Sequence, residues 1–217
     1  MSVLTERYRP KSLDEVVGQE LAVARLNLIR RKFGWEGQCF FLSGPSGSGK
    51  TTVARIIAET VARPIAIDEV DGQELSMDVA RDWERRCGFK PMGGGIWGLI
   101  VNECHGMSGK VVSRLQTVLE QEQVVKNSTW IFTTTAKGQK RLFDRAFDAF
   151  PFLSRAISIE LDNGEETLLA FANRVREIAI AEGLDGKSLE NYYALAVECE
   201  ANFRQMLQRV CCGDMLI

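Results

Sequence analysis

Residues Phe40–Thr52 read FFLSGPSGSGKTT, and within them Gly44 through Thr51 fit the pattern G-x-x-x-x-G-K-[ST]. Glycines at 44, 47 and 49 let the backbone wrap an anion with its N–H groups pointing inward. Lys50 adds a positive charge for the terminal phosphates of a nucleotide, and the Thr51 hydroxyl suits Mg²⁺. The helix that follows presents its N-terminus to the same anion. Both flanks agree: the apolar run Cys39–Leu42 precedes the turn as a strand, and Thr52–Val61 follows with helical character. Gly44, Pro45, Ser46, Gly47, Ser48, Gly49, Lys50, Thr51 and Thr52 are therefore candidate contacts for ATP or ADP, with Thr51 a candidate Mg²⁺ ligand. Such a P-loop also needs an acidic partner at the end of another strand.

Four further short apolar runs read as strands: Pro64–Ile67, Trp97–Val101, Trp130–Thr134 and Ala156–Leu161. Most are separated by helix-length segments, which predicts an α/β fold with a parallel five-stranded sheet and crossover helices. Continuous apolar strands fit a sheet covered on both faces. The last third changes period. Leu168, Leu169, Ala172, Val175, Ile178 and Ala179 form a helical stripe that Gly183 ends. Ser188 and Asn202 are placed to cap two more helices. The expected division is a P-loop domain over 1–162 and a small all-helical domain over 163–217, with the polar Asp162–Gly164 turn between them.

At 217 residues, 45% of them hydrophobic and 26% charged, the chain can build a core of its own and is no disordered tail. No apolar run approaches the roughly 18 residues of a membrane span, and the N-terminus lacks a secretory h-region. The expectation is a cytoplasmic protein (nuclear if the source is eukaryotic) without a membrane partner. A net charge of −2 argues against bulk electrostatic attraction to nucleic acid, though local patches stay open. Basic groups occur at Arg30–Lys32, Arg85–Arg86 and Lys137–Arg141, interleaved with acids, so that a solvated face and a phosphate contact are both readings. Six cysteines without a CxxC pair, and one histidine, give no zinc spacing.

Two segments compete as the acidic partner. IAIDE (65–69) ends in Asp68 and Glu69; LIVNE (99–103) ends in Asn102 and Glu103. The first leaves room for only one crossover helix after Lys50, so it is the next strand in sequence. The second has room for an intervening strand and helix.

A resemblance decides between them. LTERYRPKSLDEVVGQE resembles the N-terminal signature of clamp-loader AAA+ ATPases, of the replication factor C small-subunit and bacterial gamma/tau type. LIVNECHGMSGKVVSRLQTVLE is similar to that family's Walker B strand and following helix, WIFTTT to its sensor 1 strand, LSRAISIEL to its SRC motif, and ANFRQML to its sensor 2 helix. The similarity runs in the family's order from about Thr5 to Leu207. It implies an AAA+ fold with a helical lid as the second domain. No stretch of the 217 residues corresponds to the family's helical collar.

The resemblance also assigns roles. Glu103 falls on the glutamate that polarises the attacking water. Asn102 stands where the family has Asp, keeping an oxygen toward Mg²⁺, through water, but losing the charge. Thr135, or its neighbour Thr134, falls on sensor 1. Arg155 falls on the SRC arginine, which serves a neighbouring subunit's ATP in trans. Arg204 falls on the sensor 2 arginine, which reaches the nucleotide from the lid. Tyr8, Arg9, Pro10, Val17 and Gly18 resemble adenine-side contacts. Cys104 and His105 complete NECH where DEAH is usual, and read as a packed thiol and an ordinary histidine.

Three functions follow as expectations. One is an ATP-binding, ATP-hydrolysing clamp-loader subunit, slowed by Asn102, that assembles with sister subunits or itself on a sliding clamp and primer-template DNA. Another is a nucleotide-binding structural or regulatory subunit with little turnover. The last is a different AAA+ remodelling factor, such as a helicase loader or branch-migration motor, against which the TERYRP and SR signatures argue.

Overall fold

The computed structural model describes residues 3–135 and 154–216. Five strands form one sheet: β1 (Cys39–Ser43), β2 (Ile67–Asp71), β3 (Trp97–Asn102), β4 (Ser128–Thr134) and β5 (Ile157–Glu160). Their order is β2-β3-β4-β1-β5, and every pairing is parallel. Among the described residues the helices are α1 (Val3–Arg7), α2 (Glu20–Phe33), α3 (Lys50–Val61), α4 (Met77–Cys87), α5 (Gly109–Leu119), α6 (Glu122–Lys126), α7 (Glu165–Ala181), α8 (Leu189–Glu198) and α9 (Phe203–Cys211). The fold is α/β, a parallel five-stranded sheet with flanking helices.

Burial follows strand position. Every residue of β1 and β4 is buried, as befits inner strands of a sheet covered on both faces. On one face Phe41, Leu99, Val101, Trp130 and Phe132 pack against Trp83 of α4 and Val111, Leu115 and Val118 of α5. Trp83 meets Trp130 edge-on at 5.8 Å, and Trp130 stacks on Phe132 at 6.2 Å.

The second strand departs from the sequence expectation. Pro64–Ala66 is a 3-10 turn, with Ile65 exposed, and pairing with β3 begins only at Ile67. Apolar content pointed to Pro64–Ile67, but β2 is an edge strand with sequence IDEVD, and edge strands carry charge. Its acids have partners: Asp68 accepts from the Trp83 indole at 2.7 Å and pairs with Arg86.

The chain divides into two compact units. One holds 25–43 and 53–160, and so the whole sheet; the other holds 1–24, 44–52 and 161–217. In the second, α7, α8 and α9 bury Phe171, Val175, Tyr192, Leu195, Met206 and Leu207, joined by Leu4 from α1. Gly183 ends α7 at φ +70°, and the Asn202 side chain caps α9 by accepting from the Gln205 amide at 3.2 Å. Ser188 precedes α8, but its side chain makes no capping bond; it pairs with Glu190 and accepts from Asn191 at 3.0 Å instead.

Candidate nucleotide site

The P-loop leaves the carboxyl end of β1 directly. Gly44, Gly47 and Gly49 have φ of +151°, +77° and +102°, conformations that a side chain resists. Space is as tight as the dihedrals. A Cβ on Gly44 would lie 2.6 Å from the Leu161 carbonyl oxygen, and one on Gly47 2.1 Å from Asn202 Oδ1. Lys50 is 6% exposed, and its ammonium donates to the carbonyls of Gly44 (3.0 Å) and Pro45 (2.6 Å). The buried Ser48 hydroxyl also donates to Pro45, at 3.0 Å. A buried cation folded back over a loop of positive-φ glycines, at the start of α3, is a cradle that suits a triphosphate.

The N-terminal arm meets this loop: Arg9 donates to the Thr52 hydroxyl at 3.2 Å. Val17 packs with the helical cluster, and a Cβ on Gly18 would press on Phe171 at 3.1 Å. Gln19 locks the arm by a reciprocal pair, donating to the Asp162 carbonyl (2.9 Å) and accepting from its amide (2.8 Å). Tyr8, a candidate for the adenine edge, donates its hydroxyl to Glu182 at 2.6 Å, beside the Arg7–Glu182 pair at 2.7 Å. Those donors hold the Glu182 carboxyl below the usual glutamate range. Pro10 is half-buried, and Arg204 is exposed on the first turn of α9.

The sheet unit holds the acidic end. Its central strands finish at one edge, where Asn102 ends β3 and Thr134 ends β4. Glu103 follows in a left-handed conformation, φ +46° and ψ +48°, rare for a residue with a side chain. Its amide donates to Thr133 Oγ1 at 3.3 Å, and the Thr133 hydroxyl donates to Asn102 Oδ1 at 3.2 Å. Asn102 Nδ2 donates to Glu69 Oε1 at 2.6 Å, and Glu69 is clasped by Arg55 at 2.7 and 3.0 Å. His105 Nδ1 lies 3.0 Å from Thr134 Oγ1 and 3.3 Å from Glu103 Oε2. Thr134 also donates to the Thr135 carbonyl at 3.3 Å. Cys104 is fully buried, which pushes its thiol well above the usual range.

The Thr51 hydroxyl and the Asn102 amide oxygen are each neutral oxygen donors of the kind Mg²⁺ accepts, directly or through water. Among the described residues there is no cluster of three or more His, Cys, Asp or Glu side chains placed to hold a metal. Arg155 pairs with Glu120 at 2.5 Å within the sheet unit. Of the basic groups, Arg30 lies over Trp35 at 5.1 Å, Arg85 pairs with Asp82 at 2.6 Å, and Lys137, Lys140 and Arg141 fall outside the described residues.

Sequence reasoning missed Glu69 as a partner of Asn102, Thr133 as the link to Glu103, and Gly72. A Cβ on Gly72 would stand 2.6 Å from the Glu103 carbonyl oxygen. The Asp71-Gly72 dipeptide was the one available signal of a tight turn.

A glycine-rich loop thus joins β1 to α3, and the parallel sheet has the order β2-β3-β4-β1-β5. A RuvB variant from Thermotoga maritima has the same fold, with a TM-score of 0.71 over 94% of this chain and 64% of its own, at 24% identity. By sequence the chain is 32% identical to a replication factor C small subunit of Haloarcula marismortui over 124 residues, 55% of this chain and 38% of the relative. It is 27% identical to replication factor C small subunit 1 of Pyrobaculum arsenaticum over 186 residues, 83% of this chain and 52% of the relative. No family profile matches the chain. The chain thus spans about half or less of these curated relatives, and sequence and fold together support an AAA+ protein of the clamp-loader type. Among the described residues no helix is long and apolar enough to cross a membrane.

Proposed function

We propose that the chain binds ATP and hydrolyses it slowly, as a clamp-loader-type subunit acting in DNA replication or repair. The observation that carries this reading is the cradle of Gly44–Thr51 with Lys50 buried over it. In this reading Lys50 leaves the Gly44 and Pro45 carbonyls to neutralise the β- and γ-phosphates, while the loop amides and the start of α3 hold the rest of the charge. Bound Mg²⁺ would supply charge neutralisation at the phosphates, with Thr51 and Asn102 as its protein-side oxygens. Glu103 takes the proton of the attacking water, and Thr134 or Thr135 orients that water. Arg9, with Tyr8, Pro10, Val17 and Gly18, borders the base. Arg204 senses the γ-phosphate from a lid over 163–217, and Arg155 leaves Glu120 to serve a neighbouring subunit's nucleotide. A sliding clamp, primer-template DNA and sister subunits or further copies are the partners this role requires.

A second reading is a nucleotide-binding subunit with little turnover. One observation favours it: Asn102 is an amide, and the carboxylate beside it is clasped by Arg55. The two readings separate by assay. Fluorescent ATP should bind wild type and Glu103→Gln, and bind Lys50→Ala at least about tenfold more weakly. Turnover should be measurable in wild type and fall about a hundredfold or more in Glu103→Gln. Equal turnover in those two proteins would leave only the second reading.

A further inference from the structure

Asn102 sits in a directional chain of hydrogen bonds that an aspartate could not make. Its Nδ2 donates to Glu69 Oε1 at 2.6 Å, while its Oδ1 accepts from Thr133, whose hydroxyl in turn accepts the Glu103 amide. An amide has both a donor end and an acceptor end; a carboxylate only accepts. Glu69 stands on the edge strand β2, and β2 and β3 pair with Glu69 beside Ile100 and Asp71 beside Asn102. Arg55 bonds both Glu69 oxygens and holds that carboxylate in place.

We propose that Glu69 is the positioning residue of this corner: its carboxylate fixes the Asn102 amide, and through Thr133 it fixes the backbone of Glu103. Glu69 and Asn102 form a matched pair in which the acid lies on β2 and the amide on β3. The inference deepens the proposed function and rests on it. It has one consequence contrary to simple reasoning. Asn102→Asp does not restore a stronger Mg²⁺ site, because the new carboxylate would face Glu69 at hydrogen-bond distance with no proton between them. The change that works is the exchange Glu69→Gln with Asn102→Asp, which keeps one acid and one amide and reverses the bond; Arg55 keeps its Nε bond at the Oε2 position and loses its Nη2 bond at the Oε1 position.

The test is a double-mutant cycle on the full chain. Folded-to-unfolded ratios are measured by urea titration without nucleotide, and the Mg²⁺ enhancement of fluorescent-ATP affinity is measured on the same four proteins. Each single change should lower the folded-to-unfolded ratio about tenfold, and the exchange should recover part of that loss, leaving the double change well above the product of the two single losses. Mg²⁺ enhancement should rise only in the exchanged protein. Losses that simply add, or a rise in Mg²⁺ enhancement for Asn102→Asp alone, would overturn the pairing. The side-chain amide signal of Asn102 in nitrogen–proton spectra gives a readout that needs no change at 102. It should shift in Glu69→Gln while that of Asn173 does not, and an unmoved signal counts against the inference. Failure of wild type to bind ATP would sink the functional reading, while the stability cycle would still decide the pair.

Discussion

Gly72 offers a direct test of how the Asn102–Glu103 corner is held. The Gly72 amide donates to the Asn102 carbonyl at 2.6 Å. Its φ lies outside the left-handed region, so Gly72→Ala requires no unusual dihedral; the difficulty is contact. The new Cβ would lie 2.6 Å from the Glu103 oxygen, 3.0 Å from Cys104 Cα and 3.2 Å from the Glu103 carbonyl carbon. All three are backbone atoms, so no rotamer change relieves the crowding. Overpacking of this kind costs about 1–3 kcal/mol, and a stretched Gly72–Asn102 bond adds about 1 kcal/mol. Against this, alanine stiffens the unfolded chain and returns about 0.4–1 kcal/mol. The net expectation is a loss of about 2 kcal/mol. In urea the midpoint should fall with an unchanged slope. ATP turnover should fall further than stability explains, because Glu103 moves with its carbonyl. A variant within about 0.5 kcal/mol of wild type, with equal turnover, would refute the crowding argument.

Other outcomes follow from the same geometry. Glu200 and Ala201 hold φ of +51° and +55° after α8, and Glu200 is exposed; Glu200→Gly should stabilise by about 0.5–1 kcal/mol in urea, since glycine relieves the left-handed penalty. Glu182 is held below the ordinary glutamate value by bonds from Tyr8 and Arg7, so its contribution is present above about pH 4.5 and fades as pH falls below it. The stability gap between wild type and Glu182→Gln should therefore close on acidification, and a gap constant with pH would contradict the pairing. Cys39 and Cys87 are buried, which pushes each thiol up to about 12, and Cys104 and Cys199 are buried as well. A thiol reagent at neutral pH should label Cys211 and Cys212 quickly and the other four only on unfolding.

Much of the fold was legible because its signals are local. Inner strands β1, β3 and β4 carry continuous apolar runs, Cys39–Leu42, Leu99–Val101 and Trp130–Phe132, and a P-loop requires its glycines at fixed spacing. The edge strand was not legible from apolar content, because β2 carries Asp68, Glu69 and Asp71; the first two find partners on α3, α4 and β3, and Asp71 accepts from the Gln73 amide in the next turn. Pro64 and Ile65 drew the expectation toward a segment that became a 3-10 turn. At the site, the glycines and Lys50 could be chosen by residue type and spacing, whereas Glu103 was singled out over Asp68 and Glu69 only by the resemblance. The roles of Glu69, Thr133 and Gly72 depend on contacts across a sheet, which no single segment encodes. Ser188 shows the limit of cap rules: the residue occupies the capping position, but its hydroxyl engages Glu190 and Asn191.

Nucleotide binding and turnover both require that the Gly44–Thr51 cradle take a triphosphate. Isothermal titration of the full chain with a non-hydrolysable ATP analogue and Mg²⁺ measures this directly. Saturable binding at one site per chain is expected, lost in Lys50→Ala and in Gly47→Ala, whose Cβ would strike Asn202. A flat titration with wild type, or equal binding by all three proteins, would contradict it.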